Sequence, residues 1–146
     1  MNEKSNNKIE KIAKTFNALV FIILLYYSCY GFFYLILASV GIAKDLTEEG
    51  KDAFFTLLIE YSFILIHFIF AIYAQSKRAK RKELFSIISA VWLVIEIGIL
   101  FIILCIMDPM LKYFIAASIA LAIALFNLVI QIINNKLKKK NERDII

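Results

Sequence analysis

Residues that break or turn a chain are scarce in this protein, and so is charge. Its 146 residues include one proline and four glycines, and they are 62% hydrophobic but only 20% charged. A membrane β-barrel would need many turns and strands of alternating polarity, whereas the apolar runs here are continuous over whole helix lengths. A soluble domain of this size would need more polar surface. The sequence therefore predicts an all-α membrane protein, in which each helix satisfies its own backbone hydrogen bonds.

Cysteine and histidine, two common metal ligands, are equally sparse. The chain has two cysteines, Cys29 and Cys105, and one histidine, His67. The cysteines show no CxxC spacing, and their predicted depths in the membrane differ by several helical turns. We therefore expect both to be packing residues, with no disulfide between them, no metal site and no cofactor.

Four long apolar runs are the strongest positive signal. The predicted membrane spans are residues 15–43, 53–74, 84–107 and 111–134. Each is long enough to cross a hydrocarbon core of about 30 Å at about 1.5 Å per residue. Residues 1–14 form a polar segment that is expected to continue as a short helix, and residues 135–146 form a basic tail.

The connections between these spans are short. Asp45 and Glu48 resemble a capping box ahead of the second helix, and Asp108-Pro109 resembles a cap and first turn for the fourth. Because short connections join neighbouring helices, we expect an antiparallel up-down-up-down bundle. No connection is long enough to hold a catalytic or sensory domain, so function is expected within the membrane or in binding another protein.

Basic residues are concentrated in alternate connections. All 17 Lys and Arg residues except Lys44, Lys51 and Lys112 lie in the N-terminal segment, the connection containing Lys77–Lys82, or the tail. The positive-inside rule predicts that these three parts are cytoplasmic, where they would meet anionic lipid headgroups rather than nucleic acid. Lys also greatly outnumbers Arg, as in AT-rich bacterial genomes. These features predict a multi-pass protein of the bacterial inner (cytoplasmic) membrane.

Three ionisable residues lie inside the predicted spans: Glu60, His67 and Glu96. A charged group at the bilayer centre costs about 2.5–3.5 kcal/mol on insertion scales, so such residues usually face the bundle interior. Glu60 and His67 are two helical turns apart on one face, and Glu96 on the antiparallel third helix lies between them in depth. The pattern predicts a buried Glu–Glu–His ladder that is either a proton or cation site or hydrogen-bonded glue between helices.

Other polar and aromatic residues are placed to support this cluster. The first helix carries a stripe of Tyr27, Gly31 and Tyr34 that we expect to face the other helices, and the fourth carries an alanine seam that ends in two amides. The expected supporting residues are Tyr27, Tyr30, Tyr34, Thr56, Ser89, Trp92, Asn127 and Gln131.

The sequence leaves three classes of function open. Small size and polar groups within apolar spans favour a non-enzymatic accessory, regulatory or immunity-type protein that binds another membrane protein or a second copy of itself. The ionisable cluster favours a small oligomeric proton or cation channel or transporter. An intramembrane enzyme is disfavoured, because one histidine and two carboxylates are little material for catalysis; metal ligation by Glu60, His67 and Glu96 would be its most concrete form.

Overall fold

The structure is a computed structural model that describes the backbone of residues 3–44, 48–76, 81–106 and 111–143. The caps predicted at Asp45 and at Asp108-Pro109 lie outside these residues, as does most of the basic connection between the second and third spans.

Four helices make up the described chain: α1 (Glu3–Lys44), α2 (Glu48–Gln75), α3 (Lys82–Ile106) and α4 (Leu111–Arg143). All four are long and apolar enough to span a membrane. The prediction of an all-α, multi-pass membrane protein with four spanning helices is therefore confirmed at this level. Large apolar side chains cover much of the outer surface, as lipid requires.

The polar N-terminal segment and the first predicted span form one continuous helix. Neither glycine nor proline occurs in α1 before Gly31, so nothing interrupts the helical backbone there. With 42 residues, α1 is about 63 Å long at about 1.5 Å per residue and therefore exceeds the thickness of a bilayer. The basic tail likewise continues α4 as far as Arg143.

The helices pack in a ring, and α1 and α3 each contact both α2 and α4. Packing is more extensive between α1 and α2 and between α3 and α4, so the ring consists of two helix pairs. The apolar core joins the pairs at one place. Its members are the buried Val20, Leu24 and Ala71 and the partly buried Phe21, Ile64, Phe68 and Leu93.

Polar and aromatic contacts between the two pairs cluster in one part of the bundle, which we call the junction. The junction comprises residues 10–17 of α1, 63–73 of α2, 85–96 of α3 and 126–138 of α4. Away from it, the hydrogen bonds and ring contacts between helices that the described residues make stay within a pair: Tyr61 meets α1, and Phe101 meets Phe114 with ring centroids 5.0 Å apart. The junction therefore holds together the two pairs and positions the buried polar residues.

The inner face of α1 differs from the predicted stripe of Tyr27, Gly31 and Tyr34. Ala13, Val20, Leu24 and Ser28 are the buried residues of α1, whereas Tyr27 and Tyr34 are exposed. Gly31 is the member of the predicted stripe that meets another helix, because the ring of Tyr61 on α2 lies against it. Cys29 and Cys105 are free and also exposed on the bundle surface, so the expectation that they pack between helices was wrong.

Candidate functional site

His67 on α2 is fully buried, with none of its surface exposed, and both of its ring nitrogens face polar groups of α3. Its Nδ1 lies 2.7 Å from Oε2 of Glu96, and its Nε2 lies 3.0 Å from Oγ of Ser89. Ser89 and Glu96 are seven residues apart and so lie on one face of α3, two turns from each other. The imidazole is thus held from both sides by one helix.

Small buried residues lie beside these groups. Ala71 follows His67 by one turn, Ala90 follows Ser89, and both alanines are buried. Close approach of helix backbones through small side chains is the usual way in which membrane helices bring polar groups into contact. The prediction that Ser89 lies on the Glu96 side of α3 agrees with this geometry.

Glu96 has one paired and one unpaired oxygen. Its side chain is 25% exposed, but Oε1 is buried and has no hydrogen-bond partner within the described part of the chain. Nε1 of Trp92, one turn earlier on α3, is also buried and unpaired among the described residues. The Trp92 ring packs against Phe63 and Phe70 of α2, with centroids 5.7 and 5.9 Å away. One turn from the carboxylate, α2 and α3 are thus joined by aromatic packing.

A second buried polar group joins α1, α3 and α4. Nε2 of Gln131 donates to the carbonyl oxygen of Ala13 and to Oδ1 of Asn17, both at 3.0 Å, and lies 3.2 Å from Oδ1 of Asn127. Nδ2 of Asn17 donates to Oγ of Ser86 at 2.9 Å. The seam predicted on α4 is buried at Ala124, Asn127 and Gln131, whereas its other two members, Ala116 and Ala120, are exposed and partly buried, respectively.

An ion-pair cluster lies beyond the amides, at the end of the bundle where α1 and α3 begin and α4 finishes. Nζ of Lys138 lies 2.8 Å from Oε1 of Glu83 and 3.5 Å from Oε1 of Glu10, which also binds Lys14 at 2.9 Å. These side chains are partly exposed, so their pairing stabilises the bundle only modestly. Polar groups thus extend from the membrane interior at Glu96 to this end of the bundle.

Glu60 does not join the cluster, and the predicted three-residue ladder is not formed. His67 and Glu96 are in contact, but Glu60 is exposed even though it shares the His67 face of α2. The reason is that α3 covers this face of α2 at His67 but not at Glu60, two turns earlier on α2. Ile103, two turns after Glu96 on α3, is also exposed. Thr56, one turn before Glu60, is exposed and donates to the Asp52 carbonyl of its own helix.

The tyrosines predicted to face the carboxylates lie instead on the bundle surface. Tyr30 contacts the rings of Tyr26 and Tyr34, with centroids 6.3 and 5.1 Å away, and all three are exposed. Tyr27 and Tyr34 lie eleven and eighteen residues after Phe16, on the α1 face that meets Phe126 of α4 at the junction. Beyond the junction this face is uncovered.

Asn17, Ser86 and the Lys138 cluster were not identified from the sequence. A usable signal exists for Asn17, because Ala13, Asn17, Val20 and Leu24 follow helical spacing at the start of the first apolar run. Ser86 has a similar signal, since it lies one turn before Ser89. The partners of Lys138 come from the ends of three helices, and no single sequence pattern indicates them.

The chemistry available here is proton exchange and hydrogen bonding. Among the described residues, no three His, Cys, Asp or Glu side chains are close enough together to hold a metal ion. Comparisons of the chain with protein-family models, with curated proteins and with solved structures find no match. Function is therefore inferred from the chain's own geometry.

Proposed function

We propose that the protein is a non-enzymatic partner of another membrane protein, to which it binds through the surface that carries Glu60. The observation that supports this proposal is the exposure of Glu60 within an apolar helix. A carboxylate facing lipid there would cost about 2.5–3.5 kcal/mol, which a partner with hydrogen-bond donors or a cationic group would offset. A transmembrane helix carrying such a group is the expected partner.

The exposed tyrosines support the same proposal. Tyr26, Tyr30 and Tyr34 form a row of hydroxyl-bearing rings on α1, and hydroxyl groups in hydrocarbon need partners. Glu60 and Tyr34 also lie on similar helix faces. At the junction the α3–α4 pair covers these faces of α2 and α1, and beyond the junction it leaves them uncovered. The proposed docking surface therefore comprises Glu60 and the uncovered tyrosines.

The proposal includes the arrangement of the helices in the inner membrane. In an antiparallel up-down-up-down bundle, later residues of α1 meet earlier residues of α2. Two contacts support this order, because Phe21 stacks on Phe68 whereas Gly31 abuts Tyr61. The basic N-terminal segment and tail would then both face the cytoplasm. Reporter domains fused to the tail or inserted after Lys44 should report opposite sides of the membrane.

Position-specific photocrosslinking in cells tests the docking proposal. A crosslinker at Tyr30 or Tyr34 should capture one stoichiometric partner, and a crosslinker at the exposed apolar Val129 should not. Capture from Tyr30 should be lost in Glu60→Leu and retained in Ile59→Leu, a change at an exposed neighbouring residue. Equal capture from all three positions, or capture unaffected by Glu60→Leu, would refute the docking surface. A crosslink to a second copy would identify a homo-oligomer instead.

A second candidate function is proton or cation transport, and the buried His67–Glu96 contact favours it. Intramembrane ionisable residues often mark such pathways. Proton and monovalent-cation flux into proteoliposomes would test it, with wild type compared with a folded Glu60→Gln, Glu96→Gln double variant. Flux that the double variant lacks would support transport, and no flux from correctly inserted wild type would exclude it.

A further inference from the structure

We propose that His67, Glu96 and Ser89 form an intramembrane site that binds and releases one proton, with access from the end of the bundle where α1 and α3 begin. This inference goes beyond the docking function and requires no net transport. It is carried by the contacts of a fully buried imidazole with a carboxylate at 2.7 Å and a hydroxyl at 3.0 Å.

The three groups have two complete hydrogen-bonding states that differ by one proton. In the unloaded state, Nδ1–H of His67 donates to the Glu96 carboxylate, and the Ser89 hydroxyl donates to Nε2. In the loaded state, the added proton gives either a carboxylic acid beside a neutral imidazole or a carboxylate beside an imidazolium. Ser89 serves both states, because a hydroxyl can donate to Nε2 or accept from Nε2–H.

The two states of the site differ in net charge. The loaded pair is neutral overall, whereas the unloaded pair carries one negative charge in a region of low dielectric. The neighbouring helices offer no compensating charge: α1 contributes Val20 and Leu24 to the adjoining core, and the described buried residues of α4 are alanines, Ile130 and amides. On α2 the nearest acid is the exposed Glu60, and on α3 it is Glu83, near the helix start.

Further polar side chains lie between this site and one end of the bundle. Ser86 lies one turn from Ser89 on α3 and accepts a hydrogen bond from Asn17, which in turn accepts one from Gln131. Both Oε1 of Glu96 and Oε1 of Gln131 are buried acceptors without a partner in the described part of the chain. Polar side chains therefore lie in the direction that a proton leaving the pair would take toward the partly exposed Glu83 and Lys138.

Nitrogen NMR of histidine-labelled protein in lipid nanodiscs tests the site directly, because His67 is the chain's single histidine. Spectra recorded from about pH 5 to about pH 8, the range over which histidine usually changes charge, report the protonation of each ring nitrogen. We expect the Nδ1 and Nε2 signals to change together in one transition. In Glu96→Gln, which cannot take up the proton, we expect that transition to be lost.

Glu60→Gln is the matched control, since it removes an exposed carboxylate from the same membrane segment and should leave the His67 signals unchanged. If Glu96→Gln does not fold, Ser89→Ala provides a second test. In this variant we expect the Nε2 signal to be changed and the pH transition at Nδ1 to be retained. Signals that stay constant with pH in folded wild type would overturn the proposal. So would a transition that Glu96→Gln retains. The spectra report the bound proton itself. Failure of this proposal can therefore be distinguished from failure of the transport function, which would appear as an absence of flux.

Discussion

Replacing Gly31 with alanine should weaken the contact between α1 and α2. A Cβ atom at Gly31 would lie 2.7 Å from Cδ2 and 2.9 Å from Cε2 of the Tyr61 ring, closer than carbon atoms approach. The ring has limited freedom to move away, because its hydroxyl donates to the carbonyl oxygen of Ser28 at 3.2 Å. The added methyl group must therefore displace the ring, break this hydrogen bond or separate the helices.

The size of the effect follows from two terms. Overpacking of a well-packed contact typically costs about 1–3 kcal/mol. A hydrogen bond between membrane helices contributes about 0.6 kcal/mol on average and would be lost if the ring rotates away. Gly98 on α3 provides a matched control, because a Cβ atom there would meet nothing within 4 Å. Both substitutions share the gain in helix propensity, so Gly31→Ala should be about 1–3 kcal/mol less stable than Gly98→Ala.

Unfolding in mixed detergent micelles, followed by the fluorescence of the single tryptophan, would measure this difference. A third variant, Tyr61→Phe, keeps the ring and removes the hydrogen bond, and its loss should stay below about 1 kcal/mol. Combining Gly31→Ala with Tyr61→Ala should recover much of the Gly31→Ala penalty, because the clashing ring is absent. Equal stabilities of Gly31→Ala and Gly98→Ala would refute the described packing of α1 against α2.

Two further substitutions test the junction. Gln131→Leu removes the donor that joins α4 to α1 and should lower the free energy of unfolding by about 1–2 kcal/mol, whereas Gln75→Leu, at an exposed helix end, should have little effect. Equal effects of the two in a detergent unfolding assay would argue against the buried amide cluster. Lys138→Gln should cost at most about 1 kcal/mol, because its ion pairs are partly exposed. High salt should reduce that loss, and Lys139→Gln should show neither effect.

The helical class and the number of spans could be predicted because lipid leaves the backbone few alternatives. Once a chain is continuously apolar over helix lengths, hydropathy alone identifies the spans. The contact between His67 and Glu96 was also within reach, since their predicted depths are similar and both groups are too polar to face lipid. The expected helix arrangement thus brought two of the three ionisable residues together.

Helix faces were harder to predict than helix positions. Glu60 shares a face with His67, and periodicity alone assigns both to the interior. Whether a face is covered depends on how far along the helix its neighbour stays in contact, and that is a property of the whole bundle. The tyrosine stripe on α1 failed for the same reason: Tyr27 and Tyr34 lie on the face that meets α4 at the junction, and farther along α1 this face is uncovered.

Glu60 and Glu96 together separate the proposed surface function from the proposed interior site. Both are carboxylates within spanning helices, but one is exposed on α2 and the other contacts a buried imidazole. Glu60→Gln should weaken partner capture and leave the His67 spectrum unchanged, because its side chain touches no group of the proton site. Glu96→Gln should abolish the pH transition of His67 and leave capture intact, provided that the helices remain packed. If either substitution altered both measurements in folded protein, the surface and the interior would be coupled, and proton binding would then regulate docking.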